Sequence, residues 1–136
     1  MQDASVFTKI IRGEIPCHKV YEDEHTLAFL DINPAQPGHT LVVPKKQVEF
    51  VWDLDDETYL AVMRTAKKIG NRLREVMGRR YVGEIIVGTD VPHAHVHLVP
   101  FDESHELKRV LVFEQREPDH AQLTEIAKKI VLEDEK

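Results

Sequence analysis

Residues 93–100 read His-Ala-His-Val-His-Leu-Val-Pro, with an imidazole at every second position and an aliphatic side chain between. A period of two is the repeat of a β-strand; a helix face would recur at three and four. On a strand His93, His95 and His97 share one face, while Ala94, Val96 and Leu98 share the other, which a core would bury. Whatever else the chain does, it builds a sheet around a strand with one face of imidazoles.

The flanking pattern supports a sheet. Residues 5–12, stopped at Gly13, are expected as a short helix, because glycine supplies a left-handed stop. Residues 18–22 and 26–32 read as strands about the polar turn Asp23-Glu24-His25. Residues 33–38 form a Pro/Gly turn cluster, and 39–43 a short buried strand. A long helix is expected between Asp55 or Asp56, as its cap, and Gly78. Tyr59, Val62, Met63, Ala66, Ile69, Leu73, Val76 and Met77 form its apolar stripe. Residues 81–87, 94–99 and 110–113 read as further strands. A last helix begins at Pro118, with Leu123, Ile126, Ala127, Ile130 and Val131 on one side. Strands, one long helix and more strands make an α+β pattern with mostly antiparallel connections.

Composition excludes several classes. A chain of 136 residues with 42% hydrophobic content fits one packed domain. Its net charge of −6 argues against a surface built for nucleic acid. The single cysteine, Cys17, allows no internal disulfide and suits a reducing compartment. With neither an apolar signal core at its start nor a run of about 18 apolar residues, it is expected to be soluble, cytoplasmic and free of membrane.

The histidine row has three readings. Chance is a poor one for three imidazoles in register, although it suits His18, His25, His105 and His120, each alone among charged residues. A metal site is the second. At ~3.3 Å per residue the backbones of His93 and His97 lie roughly 13 Å apart, so one ion could take two adjacent histidines but hardly three. Asp90 and Asp102 are weak candidates to complete such a site. Catalysis on an anionic substrate is the third and is favoured. Imidazole titrates near neutrality, and can attack, donate a hydrogen bond or orient a neighbour.

The same stretch resembles the His-φ-His-φ-His-φ-φ signature, φ being apolar, of the histidine triad family of nucleotide-binding hydrolases and transferases. Residues 9–16 (KIIRGEIP), 20–34 (VYEDEHTLAFLDINP) and 37–46 (PGHTLVVPKK) are similar to the family's N-terminal half, in the family's order. The likeness covers about residues 5–100 and is strongest to the small homodimeric nucleotide-binding (Hint-like) branch. It implies a five-stranded antiparallel sheet with one long and two shorter helices. The whole chain, 1–136, is then one domain whose tail, from 101 on, adds a strand and a helix.

The resemblance also implies a chemistry. His95 would attack the α-phosphorus of a purine nucleotide conjugate, forming a nucleotidyl-histidine that water cleaves. Phosphoramidates, acyl-adenylates and dinucleoside polyphosphates are the family's substrates. His97 would donate to a non-bridging phosphate oxygen. His93 would hold the arrangement, and His39 would support it. Asp31 would accept from the ribose hydroxyls. Ile15, Phe29, Leu30 and Ile32 would form the slot for base and sugar. A homodimer is implied; Trp52 is either an exposed anchor for it or core.

Two departures stand out. Many family members carry Cys-x-x-Cys near the start and a histidine after Pro-Lys, together binding a structural zinc. The matching positions are Ser5, Thr8 and Gln47, poor zinc ligands, so neither metal nor other cofactor is expected. The segment before the triad, 86–92, is also short and lacks the family's Asn and Gln. Gly88 could let backbone N–H groups approach phosphate, and Thr89 could supply a hydroxyl, but Asp90 would repel it. An enzyme is therefore expected. A dimeric nucleotide-binding module with little turnover, and a metal-binding protein, are the alternatives.

Overall fold

The structure, a computed structural model, describes residues 3–112 and 114–134. It is α+β: α1 (Val6–Ile11), β1 (Lys19–Glu22), β2 (Thr26–Leu30), β3 (Thr40–Pro44), α2 (Asp56–Val76), β4 (Tyr81–Ile85), β5 (Val96–Phe101), α3 (Lys108–Leu111) and α4 (His120–Ile130). The five strands form one antiparallel sheet in the order β1-β2-β3-β5-β4. The histidine-bearing strand β5 thus sits inside the sheet, bonded on both sides.

The sheet is covered on both faces, and residue alternation decides which side chain goes where. Ala28, Leu30, Val42, Val96 and Leu98 pack with Val62, Ala66, Ile69 and Leu73 of α2, and with Leu123, Ile126 and Ile130 of α4. Leu27, Phe29, Leu41 and Val43 point the other way, onto Phe7 of α1. The imidazoles share this second face, since His97 stands opposite Leu41 in the β3–β5 register.

Local chemistry explains the elements. Asp55 caps α2: its carboxylate accepts from the Thr58 backbone N–H and, at 2.6 Å, from the Thr58 hydroxyl. Asp56 and Glu57 in the first turn suit the positive end of the helix dipole. The buried stripe of α2 also takes in Thr58, Ala61 and Thr65, while Tyr59 is exposed, so the stripe is rotated from the expected one. Thr65 is accommodated because its hydroxyl lies 2.7 Å from that of buried Thr26. Asp23 organises the β1–β2 turn, accepting from the backbone N–H groups of His25 and Thr26 and from the Tyr21 hydroxyl. At the other end of β1, His18 and His120 are not isolated: their rings stack, with Nε2 and Nδ1 2.9 Å apart, joining the chain before β1 to the start of α4. The Leu132 N–H then donates to the Val20 carbonyl and covers the edge of β1.

One expected strand is absent. Residues 108–111, including Val110, are helical, and Phe113 lies outside the described residues. Glu103 and Glu106 form a reciprocal capping box that starts a helical turn at Ser104–Leu107, and α3 continues it. β5 is already paired on both sides, so Val110 packs on Val99 and Ala35 instead of joining the sheet. The tail therefore adds short helical turns and α4, and among the described residues the α-helices number one long and three shorter. Trp52 is 85% exposed and is not core.

Ile69, fully buried at the centre of the α2 face, should be the sensitive point of this packing. Ile69→Ala is expected to lower stability by about 2–5 kcal/mol through lost burial and a residual cavity. Urea denaturation would read this as a reduced midpoint with little change in slope.

Candidate active site

The site lies where two connections meet the sheet, the turn between β2 and β3 and the loop before β5. The first, 31–39, leads into β3. Gly38 adopts φ +92, and a Cβ there would stand 3.0 Å from Pro100 and 3.2 Å from Met77. Glycine thus permits both the turn and the close approach to β5 that brings His39 beside His97. The Asp31 N–H donates to the His39 carbonyl at 2.9 Å, closing the turn.

The histidines are buried, not displayed on an open face: His93, His95, His97 and His39 are each at most 6% exposed. His93 and His95 precede β5 in irregular chain, and only His97 lies within the strand. Burial holds each ring neutral, and a neutral imidazole has one donor and one acceptor nitrogen. The partners then assign the protons. The Ala35 N–H donates to His39 Nδ1 at 2.9 Å, so His39 carries its proton on Nε2. That Nε2–H donates to His97 Nδ1 at 2.9 Å, which leaves His97 with its proton on the free Nε2. His95 Nδ1 lies 2.7 Å from the His93 carbonyl, an acceptor only, so Nδ1 is protonated and Nε2 keeps a lone pair. His95 and His97 thus present opposite groups, 5.0 Å apart between ring centroids: a lone pair and an N–H donor.

The electrostatics agree. Burial pushes His97 down to about 4 and His39 to about 3, with neighbouring histidines adding to both shifts. His95 is also lowered by burial, against the opposing effects of the His93 carbonyl and Asp90. Burial raises Asp31 to about 6, its bond from the Asn33 N–H opposing and Asp90 adding to the shift. Asp90 therefore acts on both Asp31 and His95.

The remaining expected residues divide. Phe29 is buried on the histidine face, but Leu30 points into the α2 core and cannot line a slot with it. Ile15 is half-buried, and Ile32 is exposed beside a small cleft with Asn33, Pro34 and Arg116. Gly88, at φ +81, shapes the loop before the triad, where Thr89 is exposed. Phe7 was not anticipated. It meets His95 edge to face at 5.1 Å between centroids and His93 at 5.8 Å, and its position on the histidine side could have been found only from the packing of α1.

The residue pattern is that of a nucleotide-handling triad, and the comparisons agree. The HIT domain family matches residues 12–104. The chain belongs to the HIT, or histidine triad, family. It is similar to the crystal structure of a Hit-like protein from Bartonella henselae, with TM-score 0.80 and 33% identity over 95% of each chain. A Zn-bound histidine triad family protein from Mycobacterium smegmatis gives TM-score 0.75 and 27% identity, over 92% of this chain and 91% of that one. The adenosine 5'-monophosphoramidase HNT1 of Saccharomyces cerevisiae is 35% identical over 98 residues, 71% of this chain and 62% of its own. Among the described residues no helix is long and apolar enough to cross a membrane.

Zinc does not fit the positions where the family resemblance implies it. Ser5, Thr8 and Gln47 offer two hydroxyls and an amide where thiolates and an imidazole would be needed, with the His93 ring beside them. Their polar atoms already satisfy one another: Ser5 Oγ lies 2.8 Å from His93 Nδ1, and the Thr8 hydroxyl donates to Gln47 Oε1 at 2.5 Å. A second group, Asp31, His39 and His97, brings its ligand atoms within 4.8 Å of one another. The 2.9 Å between its imidazole nitrogens is a hydrogen bond. Two nitrogens on a tetrahedral ion would stand about 3.3 Å apart.

The buried rings should make stability acid-sensitive. The unfolded chain binds more protons than the folded one below the ordinary histidine value of 6.5, so the rings' contribution is complete above it and is lost as pH falls toward 4 and 3. Asp31 acts oppositely, taking up a proton in the folded state near 6. The histidines outweigh it, and a net loss of about 2 kcal/mol is expected between pH 7 and pH 5. Chemical denaturation at the two pH values would measure it; equal or greater stability at pH 5 would contradict the proton assignment.

Proposed function

We propose that the protein is a nucleotide-binding hydrolase that acts at the α-phosphate of purine nucleotide conjugates, phosphoramidates first among them, through a nucleotidyl-histidine on His95. The supporting observation is the opposite protonation of neighbouring rings: a lone pair on His95 Nε2 and a proton on His97 Nε2. The kinship with a phosphoramidase points the same way.

In this reading His95 Nε2 gives its lone pair to the α-phosphorus, and the bond from phosphorus to the leaving group breaks. From a phosphoramidate the amine departs, its proton supplied by solvent. Water then adds to phosphorus, the bond to Nε2 breaks, one proton returns to solvent, and the nucleoside monophosphate is released. His97 Nε2–H donates to a non-bridging oxygen whose charge changes during attack. His39 keeps that proton in place by filling His97 Nδ1. Asp31 accepts from the ribose hydroxyls. Acyl-adenylates and dinucleoside polyphosphates would be cleaved by the same bond changes at phosphorus. Phe29 and Ile32 contribute to the base and sugar slot, with Ile15 at its margin. Gly88 and Thr89 shape the loop beside the phosphate.

Single-turnover reaction with adenosine 5′-phosphoramidate, followed by intact mass, tests the assignment. The wild type should release AMP, and His95→Ala should lose roughly 10⁴-fold or more of the rate with no nucleotide adduct. His97→Ala should lose about 10²–10³-fold. The acid limb of kcat/KM should lie below pH 6.5, because burial lowers His95 and activity falls only as its attacking nitrogen is protonated. A wild type that binds AMP but neither turns over nor becomes labelled would leave a nucleotide-binding module. We propose a cytoplasmic homodimer as part of the same reading. Sedimentation equilibrium should then give twice the 15.7 kDa chain mass at micromolar concentration.

A further inference from the structure

We propose that Ser5, Thr8, Gln47 and the His93 ring form a metal-free hydrogen-bonded clamp that positions His95. The inference rests on the functional reading above only in naming His95 the nucleophile.

The clamp joins three segments far apart in sequence. The Ser5 N–H donates to Gln47 Oε1 at 2.9 Å, and Gln47 Nε2 donates to the Asp3 carbonyl at 2.8 Å. The Thr8 hydroxyl spends its one proton on Gln47 Oε1. His93 Nε2 lies 2.8 Å from the Pro44 carbonyl, which can only accept, so His93 is protonated there and Nδ1 must accept. The donor it finds is the Ser5 hydroxyl, at 2.8 Å. Ser5 Oγ in turn accepts from the Thr8 N–H at 3.0 Å, which makes Ser5 the N-cap of α1 as well. Thr8 Oγ1 also stands 3.3 Å from Ser5 Oγ and from His93 Nδ1, longer than the bonds above; the network is neutral, and its direction is set by the Pro44 carbonyl.

Three links pass this order to His95. The backbone beside His93 is held by the bond from the Ala94 N–H to the Val48 carbonyl at 2.7 Å, one residue from Gln47. The His93 carbonyl, fixed between its clamped ring and that bond, receives His95 Nδ1–H. Phe7, on the helix that Ser5 caps, closes against the edges of both rings. Ser5, Thr8 and Gln47 touch no reacting atom; they are positioning residues that act through His93. Three neutral side chains thus occupy the positions where the resemblance implies metal ligands, and they hold the His93 ring in place.

The test reads the rings directly. Long-range proton–nitrogen correlation spectra of the full ¹⁵N-labelled chain distinguish the two tautomers of each histidine without requiring turnover. The wild type should show single tautomers, Nε2–H for His93 and Nδ1–H for His95, both unchanged after dialysis against a chelator. Ser5→Ala removes the donor to His93 Nδ1 and should shift the His93 and His95 Nδ1 resonances, each proton staying on the nitrogen that the Pro44 or His93 carbonyl fixes. It should lower kcat for adenosine 5′-phosphoramidate about 10-fold, with KM within about 2-fold, because the nucleophile is misplaced while substrate contacts remain. Thr8→Val, which removes only the hydroxyl, should shift the same signals in the same direction and serves if Ser5→Ala does not fold. Ring nitrogen resonances that stay unchanged in the folded variants, or tautomers that collapse in the wild type on chelation, would overturn the proposal. A wild type with no turnover whose His93 and His95 nitrogen resonances Ser5→Ala shifts would remove the functional reading and support the clamp.

Discussion

A buried neutral imidazole needs one acceptor for its N–H and one donor for its lone pair, and this requirement organises the molecule around β5. Four rings are buried close together. Charging any of them would place a cation in an apolar interior beside other rings, so all stay neutral. Each ring then transmits a direction. The Ala35 N–H starts one chain, through His39 to His97, and the Pro44 and His93 carbonyls direct the other two rings. Backbone groups, which cannot exchange donor for acceptor, decide which side-chain nitrogen carries a proton. The site's polarity is therefore a property of the fold, even though the reactive atoms belong to side chains.

The two faces of the sheet divide the work. Against α2 and α4 the strands present ordinary aliphatic packing, which supplies most of the burial. Against α1 they present a smaller apolar cluster around Phe7 and Phe29, with the imidazoles at its margin. The placement of β5 between β3 and β4 matters here. A central strand moves less than an edge strand, and its neighbours supply the turn from Asp31 to His39 on one side and the loop carrying Asp90 on the other. Two acidic residues are thus held near His95, and burial, with Asp90 adding to it, raises Asp31 to about 6.

Seen beside its relatives, this chain meets a structural demand by different chemistry. A zinc ion on thiolates and imidazoles binds segments through strong, charged bonds to deprotonated ligands. The quartet here links the same kind of distant segments with short bonds between neutral groups. Among the described residues no buried side-chain polar atom is left without a partner. Such an arrangement holds only while every member is satisfied. That explains why serine, threonine and glutamine appear together, instead of one altered ligand among three that are kept.

Much of this was legible in the residues. The two-residue period marked a strand, Asp55 and the apolar stripe marked α2, and the triad with its flanking segments pointed to the family and its fold. Patterns of this kind survive in one dimension because they follow from backbone geometry. Three features were not legible. Val110 packs in a helical turn, because the Glu103–Glu106 capping box and the occupied edges of β5 outweighed a short run of β-formers. Leu30 turns away from Phe29, since strand alternation sends neighbours to opposite faces whatever their chemistry. His18 and His120, remote in sequence, meet across α4 and the sheet. The sequence by itself determined which groups could do chemistry and how often they repeat. Only the tertiary structure decided which nitrogen of each ring holds the proton, because that depends on donors and acceptors brought in from Ser5, Ala35, His39 and Pro44.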